Sequence, residues 1–290
     1  MTNRKQNKNI NHHYITRSYQ ENFCDEDGLI WVSESNGKFY KTKPTKKFRE
    51  KHFYTVFGSL FAENGFSGIE GDFKNILLKK IFPQKPTSNM ERVALSMFMA
   101  LMLNKTRIHR ENMRSFLEEI VSLSTVEDKT GTNKSIIPTN EKGISIEEIK
   151  SGLKNFNSFH TIAAINSSKY SACYIYNMKW IIYFIPEIIR KSFICSDNPL
   201  HLCAPNREIK YGLNSLGSRA GLEHVDCELS FPISSKIALL AGYSDINVLD
   251  DLIYCDANYE IIEQINFRTM RGSEQIFANN KEQLEKYNKN

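Results

Sequence analysis

The chain has 290 residues, a formal net charge of +5, and a composition that is 41% hydrophobic and 24% charged. This composition is typical of a globular protein with one large domain or two small ones. No stretch reaches the roughly 18 consecutive apolar residues that a membrane-spanning helix needs, and the N-terminus lacks the apolar segment of a signal peptide. The six cysteines include no CxxC pair, which argues against a structural zinc site. We therefore expect a cytoplasmic protein with reduced thiols and no contact with a membrane.

The first part of the chain predicts short strands. Residues 1–11, rich in Asn, Lys and Gln, are expected to form a disordered basic lead-in. Two β-prone runs, residues 29–32 and 38–41, flank Asn36-Gly37, and this dipeptide is typical of a hairpin with a type I′ turn. A third short strand is expected at residues 53–56. We therefore predict an N-terminal β-hairpin region.

The middle of the chain, about residues 66–168, has the apolar spacing of helices. One helix is expected to end at Pro83, and Ser88 can cap a long helix that continues to about residue 123. Ser145 begins a capping-box sequence at the start of a later helix. We expect these helices to form a central bundle.

The last third of the chain mixes strands and a helix. Runs at residues 180–184 and 193–195 are expected to be neighbouring strands. Further elements are expected in the order strand, strand, helix and strand, at residues 229–232, 237–241, 259–275 and 276–278. Strands, then helices, then a mixed region indicate an α+β fold. We predict a single α+β domain over residues 12–280 and a polar tail over residues 281–290.

The best-placed polar side chains follow the apolar run at residues 193–195. Ser196, Asp197 and Asn198 come directly after it, and Pro199 biases Asn198 to an extended backbone. These side chains should therefore project from a stiff turn. Two interpretations stay open, a functional site or an ordinary turn in which Asp197 and Asn198 bond their own backbone.

Three stretches resemble a known family. His-Tyr-Ile-Thr-Arg at residues 13–17, followed by Tyr19 and Phe23, resembles the opening His-Tyr-x-Pro-(Arg/Lys) signature of the bacterial family called domain of unknown function 4238 (DUF4238). Residues 193–199 resemble its Phe-Ile-Thr-Ser-Asp-Asn-Pro signature, and residues 231–234 resemble its Phe-Pro-Leu-Ser strand. The resemblance covers nearly the whole chain.

The chain departs from the family pattern in two places. Thr16 stands where the family usually has Pro, and Lys-Thr-Arg at residues 105–107 stands where it tends to have Arg-Thr-Pro. The resemblance implies a single-domain bacterial protein, often of defence-associated gene neighbourhoods. It carries no chemistry over to individual residues.

The matched polar positions define a candidate catalytic set of His13, Arg17, Glu70, Asp197 and Asn198. A histidine, two carboxylates and a cation are the usual groups for metal-assisted phosphodiester hydrolysis. In this hypothesis Glu70 and Asp197 bind Mg²⁺ or Mn²⁺, His13 activates water or also binds the ion, and Arg17 neutralises the phosphate. The same groups can equally form a buried structural network. Our leading hypothesis is a nuclease that acts in bacterial anti-phage or toxin-like defence.

Two alternatives remain. Lys46, Lys47 and Arg49 can contact nucleic acid as substrate-binding cations or, in a non-catalytic binding module, dock a protein partner. Residues 154–160 resemble the Arg-Asn-x₄-His motif of the higher-eukaryote-and-prokaryote nucleotide-binding ribonucleases, with Lys154 in place of Arg and His160 as acid or base. The sequence has no P-loop and no GxGxxG motif, so no nucleotide cofactor is expected.

Overall fold

The computed structural model describes residues 11–54, 56, 61–130, 145–204, 221–243 and 252–287. The predicted basic lead-in, apart from its last residue, lies outside these ranges. The α-helices are α1 (Arg17–Gln20), α2 (Phe61–Ile76), α3 (Asn89–Asn104), α4 (Arg107–Thr130), α5 (Ile146–Lys154), α6 (Phe156–Asn177), α7 (Tyr259–Arg271) and α8 (Lys281–Glu285). The strands are β1 (Asn11–His13), β2 (Ile30–Glu34), β3 (Phe39–Thr42), β4 (Arg49–Lys51), β5 (Lys179–Phe184), β6 (Cys195–Ser196), β7 (His201–Cys203), β8 (Glu228–Pro232), β9 (Ile237–Gly242), β10 (Leu252–Asp256) and β11 (Gln275–Ala278).

The described strands form three sheets. The first is a two-stranded ribbon of β1 and β4, the second has the order β10-β5-β9-β8-β7, and the third has the order β3-β2-β11-β6. Neighbouring strands run antiparallel except for β10 and β5, which are parallel. Helices fill the middle of the chain and strands lie on either side of it in sequence. The predicted α+β class is therefore confirmed.

The predicted N-terminal hairpin is present as β2 and β3, but its turn differs from the expected type. A type I′ turn requires positive φ at both central residues. Gly37 has a φ of 80°, and Asn36 is absent from the described residues with positive φ. The third strand was also placed wrongly, because β4 covers Arg49–Lys51 and pairs with β1. Phe53 and Tyr54, predicted as strand, instead lie in a turn and are buried in the core.

The long helix predicted from Ser88 is two helices. Ser88 forms the capping box of α3 with Glu91, as its sequence predicts. The helix then breaks after Asn104, whose side-chain amide donates to the Ala100 carbonyl at 2.8 Å. Thr106 restarts the chain as a helix, because its hydroxyl accepts from the backbone N–H of His109 at 3.2 Å. Lys105, between the two helices, is thereby turned towards the protein interior.

The C-terminal elements follow the predicted order with different partners. The strands expected to be neighbours lie in different sheets, since β5 pairs with β9 and β10 whereas β6 pairs with β11. The closing strand β11 lies between β2 and β6. The predicted polar tail instead begins with α8, which buries Leu284. Asn280 caps that helix by accepting from the backbone N–H of Gln283 at 2.9 Å.

The main core lies where the N-terminal segment, α2, α3 and the large sheet meet. Its centre is aromatic, and the rings of Phe73 and Phe98 stack with centroids 3.6 Å apart. Arg92 fixes α3 to the end of α6, because its guanidinium donates to the Met178 carbonyl and lies over the ring of Trp180. The six cysteines all fall within the described residues, and each is a free thiol. In that part of the chain, no helix is long and apolar enough to cross a membrane.

Candidate functional site

A polar cavity of about 360 Å³ opens beside the β1–β4 ribbon, between α1, α2 and the turn that joins α3 to α4. The polar side chains that line it are His13, Thr16, Arg17, Ser18, Glu21, Tyr54, Ser67, Glu70, Lys74 and Lys105. Three of the five predicted catalytic residues, His13, Arg17 and Glu70, therefore come together here. Asp197 and Asn198 do not line this cavity.

A buried network of three side chains forms one wall of the cavity. The ammonium group of Lys105 lies 2.8 Å from Oε1 of Glu70 and donates to the hydroxyl of Thr16 at 3.2 Å. That hydroxyl donates in turn to Oε1 of Glu70 at 2.6 Å. Lys105 is fully buried, and a buried ammonium requires such a partner because its desolvation is costly. The network joins the start of α1, the middle of α2 and the α3–α4 turn.

Tyr54 holds Lys105 in place. Its hydroxyl donates to the Lys105 carbonyl at 2.9 Å, and its backbone N–H donates to Nδ1 of His12 at 2.8 Å. The rings of Tyr54 and Phe66 both lie within 6 Å of the ammonium nitrogen, at 5.7 Å and 5.6 Å. These contacts favour a cation at this position. Lys105 is therefore fixed by its backbone as well as by its charge.

His13 lies on the opposite face of β1 from His12, as alternation along a strand requires. Its imidazole lies beside the backbone carbonyl of Pro44, and its Nε2 is buried without a hydrogen-bond partner. Burial lowers the pKa of His13, and the nearby cations Arg49 and Lys105 act in the same direction. The residue at the cavity wall is thus a neutral imidazole.

Cations line the mouth of the cavity. Arg17 is exposed and its Nε lies 2.8 Å from Glu21, a pair that solvent screens. Lys74 reaches the wall from the last turn of α2. Arg49 lies directly opposite His13 in the β1–β4 ribbon, so it brings one predicted substrate-binding cation beside the cavity.

The other two predicted substrate-binding cations are placed differently. Lys47 is half-buried, and its ammonium group bonds Glu34 at 3.4 Å and the hydroxyl of Tyr40. It is thus part of the packing under the hairpin. Lys46 is exposed at the end of a 3₁₀ turn, Pro44–Lys46. Of the three predicted substrate-binding cations, only Lys46 and Arg49 are therefore exposed.

Asp197 and Asn198 fasten β6 to the turn between α7 and β11. Oδ1 of Asp197 accepts from the backbone N–H of Glu274 at 3.1 Å, and the backbone N–H of Asp197 donates to the Gln275 carbonyl at 3.0 Å. The side-chain amide of Asn198 donates to the Gly272 carbonyl at 2.9 Å. Burial raises the pKa of Asp197 to about 7, although its hydrogen bonds to backbone N–H groups oppose that shift. These bonds are structural, but they reach residues 272–275 and not the local backbone that the turn interpretation expected.

The predicted divalent ion does not fit the side chains proposed to bind it. Oε1 of Glu70 already accepts from Lys105 and Thr16, and Asp197 is bonded to backbone N–H groups with a pKa near 7. An ion bound by both side chains would need them in one site, and Asp197 does not line the cavity that contains Glu70. Across the described ranges, no three His, Cys, Asp or Glu side chains are grouped to hold a metal ion. Glu70 and Asp197 therefore do not form the shared ion site that the sequence predicts.

The three signature stretches meet in the core at Tyr19. Its hydroxyl donates to the Pro232 carbonyl and lies 3.1 Å from the sulfur of Cys195, while its ring stacks on Phe231. A family model described as "Protein of unknown function (DUF4238)" matches residues 11–282. The chain belongs to this family. Comparison with curated proteins and with solved structures finds no match.

The His160 motif of this DUF4238 member lies inside the protein. His160 is fully buried, its ring packs near Phe53 and Phe156, and its Nε2 lies 3.4 Å from Nδ1 of His109. Burial lowers the pKa of His160 to about 3. Lys154 ends α5 whereas His160 belongs to α6. A substrate therefore has no direct route to this imidazole.

Two residues of the buried network were not among the predicted site residues. Lys105 and Thr16 were read only as departures from the family pattern, yet both belong to the buried network. The available signal was a lysine followed by Thr106 at the end of an apolar helix, which is a place where a chain leaves the helix. The partner Glu70 is 35 residues distant in sequence from Lys105, so the ion pair itself left no local pattern.

Proposed function

We propose that this DUF4238 member acts on nucleic acid and cleaves a phosphodiester bond in the His13 cavity. The observation that supports this proposal best is the state of His13. Its half-buried ring lines the cavity among cations, its Nε2 has no protein partner, and burial lowers its pKa. A neutral imidazole in a concave polar site is suited to act as a general base.

The other groups of the cavity have complementary roles. An ammonium group has three N–H donors, of which Thr16 and Glu70 take two in Lys105. The third donates to a phosphate oxygen in the proposed complex. Arg17 and Lys74 neutralise the flanking charge at the mouth. Glu70 holds Lys105 in its orientation and does not contact the substrate. Preorganised donors of this kind stabilise the negative charge that develops in the transition state.

Replacement of His13 by asparagine tests the proposal. The side-chain amide of asparagine keeps a polar group beside the Pro44 carbonyl, whereas the imidazole base is removed. With single-stranded RNA and DNA of matched sequence as probes, His13→Asn should lower the cleavage rate by a factor of about 10² to 10⁴, the usual contribution of a general base. Its melting temperature should stay within a few degrees of the wild type.

His52→Asn is the matched control, because His52 is exposed directly after β4, the strand that pairs with β1, and has a φ of 57° that asparagine accepts. It should cleave at the wild-type rate. If the purified protein cleaves neither nucleic acid, or if His13→Asn retains full activity, the proposal is refuted.

The binding-module alternative rests on the exposed cations Lys46 and Arg49. Reversing both charges should abolish capture of a protein partner in that case, while a nuclease should lose substrate affinity and keep its maximal rate at saturating substrate. Measuring the cleavage rate against substrate concentration separates these two results.

A further inference from the structure

The side chains of the cavity wall indicate which nucleophile the proposed reaction uses. This inference rests on the proposed function. A water nucleophile for phosphodiester hydrolysis is usually activated by a metal ion held by carboxylates. Here the carboxylate of Glu70 is bonded to Lys105 and Thr16, and no group of three metal-binding side chains occurs in the described residues. The two carboxylates at the wall, Glu21 and Glu70, are thus paired with Arg17 and Lys105, and the wall otherwise offers a base and cations.

Thr16 is the lining hydroxyl that belongs to the ion-pair network, and its hydrogen bonds argue against a covalent intermediate on it. It is almost fully buried, at 3% exposure, and its hydroxyl both donates to Glu70 and accepts from Lys105. Its one proton is thus already held by Glu70. The role of Thr16 is therefore to complete the network that holds Lys105.

RNA supplies its own nucleophile, the ribose 2′ hydroxyl beside each phosphate. Because this group is part of the substrate, its attack is intramolecular and gains the large advantage of a high effective concentration. The requirement on the protein is then a base for one proton and cations for the extra negative charge on phosphorus. His13, Lys105, Arg17 and Lys74 supply these groups at one cavity.

The size of the cavity selects the form of the substrate. At about 360 Å³ it lies at the lower end of the range for small-molecule sites, near 300 to 1,000 Å³. A duplex cannot enter a space of this size, whereas one nucleotide of a flexible strand can. We infer that the substrate is single-stranded RNA and that the nucleophile is the 2′ hydroxyl next to the scissile phosphate.

The reaction balances without a co-reactant. The imidazole of His13 takes the proton of the 2′ hydroxyl, the O2′–P bond forms, and the P–O5′ bond breaks. The leaving 5′ oxygen takes a proton from a water molecule at the open side of the cavity. The hydroxide left behind removes the proton from His13. The products are a 2′,3′-cyclic phosphate and a 5′ hydroxyl.

The test uses three fluorescently labelled single strands of the same randomised sequence: all RNA, all DNA, and DNA with one ribonucleotide. Each is incubated with the full chain in the presence of chelator, and product ends are read by mass spectrometry. Cleavage of the chimera only at its ribonucleotide, with a cyclic phosphate end, is the expected result. His13→Asn should slow it by at least about 100-fold, and His52→Asn should leave it unchanged.

Two contrary outcomes have different meanings. If the all-DNA strand is cleaved as fast as RNA, or if the products carry 3′ hydroxyl ends, the inference about RNA is overturned while phosphodiester cleavage stands. If none of the three strands is cleaved, the proposed function falls and the inference falls with it.

Discussion

Lys105 and Glu70 form a buried ion pair in which one partner still contacts solvent. The side chain of Lys105 is 1% exposed and that of Glu70 is 23% exposed. Removing one partner from such a pair leaves an uncompensated charge, and the usual cost is several kcal/mol. Exposed pairs contribute far less, because water screens both charges. The same cavity contains one buried pair, Lys105 with Glu70, and one exposed pair, Arg17 with Glu21.

A double-mutant cycle on the buried pair should show strong coupling. Lys105→Met alone should lower the free energy of unfolding by about 3 kcal/mol, since it strands Glu70 beside Thr16. Adding Glu70→Gln should recover part of that loss, which gives a coupling energy above about 1 kcal/mol. Urea denaturation of the four proteins measures it. The exposed pair Arg17 and Glu21 is the control, with an expected coupling below about 0.5 kcal/mol; equal values for the two cycles would contradict the structure.

Asp197 should make the stability of the protein depend on pH in an unusual direction. Its pKa is about 7 in the fold against an ordinary value of 3.8, because it is buried. The protonated form is therefore favoured by folding. The stability that it contributes is fully present below about pH 4 and is lost as the pH rises through 7.

The variant Asp197→Asn isolates this effect, because its Oδ1 can still accept from the N–H of Glu274 while the side chain cannot ionise. The unfolding free energy of the variant minus that of the wild type should rise by roughly 4 kcal/mol between about pH 4 and about pH 8. Denaturation curves at several pH values measure the difference. The exposed Asp72→Asn serves as the control and should give a flat difference; a flat difference for Asp197→Asn would mean that the carboxyl is ionised throughout.

At the scale of elements, the sequence predicted most helices and strands from local patterns, and it missed the features that depend on distant contacts. The capping sequences at Ser88 and Ser145 are local, and both form capping boxes. The break after Asn104 is different. Apolar spacing continues across it, and the chain leaves the helix because Lys105 reaches Glu70 and Thr106 caps the next helix. Within residues 88–123 only Thr106, a residue type that can cap a helix, signals the break, and the contact of Lys105 with Glu70 leaves no local pattern.

Loss of one capping box should lower global stability, whereas loss of the other should act locally. Each serine-to-alanine change should cost about 1 kcal/mol of helix stability. Ser88 begins α3 in the main core, so Ser88→Ala should lower the global unfolding free energy. Ser145 begins α5, which packs in a small separate cluster with the buried side chains Leu117, Ile149 and Phe156. Ser145→Ala should mainly speed local amide exchange in α5.

Hydrogen exchange followed by mass spectrometry, together with urea denaturation, separates local from global loss. Equal losses of global stability in the two variants would show that α5 unfolds with the main core.

At the scale of the whole molecule, the polar residues of the signatures separate into two groups. His13, Arg17 and Glu70 lie at the cavity, whereas Asp197 and Asn198 hold a turn together. Residue type could not distinguish these roles, because an aspartate before asparagine and proline suits both a metal site and a turn. The two groups of residues differ because the segments that carry them enter the core in different directions. Those directions are set by packing around Tyr19, which joins segments more than 170 residues apart in sequence.

The hydroxyl group of Tyr19 should accordingly stabilise the fold. Tyr19→Phe keeps the ring that stacks on Phe231 but leaves the buried Pro232 carbonyl without this donor. An unsatisfied buried carbonyl costs about 1 to 3 kcal/mol, so the variant should lose that amount of unfolding free energy with little change in the denaturant slope. Tyr170→Phe removes a hydroxyl from a side chain that is 74% exposed and should change stability by less than about 0.5 kcal/mol.

The Tyr19→Phe variant also tests whether the core affects the cavity. Tyr19 lies two residues beyond Arg17 in the short helix α1, so loosening its hydrogen bond shifts the segment that carries Thr16 and Arg17. If the signatures act as one unit, Tyr19→Phe should weaken substrate binding at His13 although it contacts no substrate. Wild-type affinity together with the expected stability loss would show that the core and the cavity are independent, and the meeting of the signatures at Tyr19 would then concern folding alone.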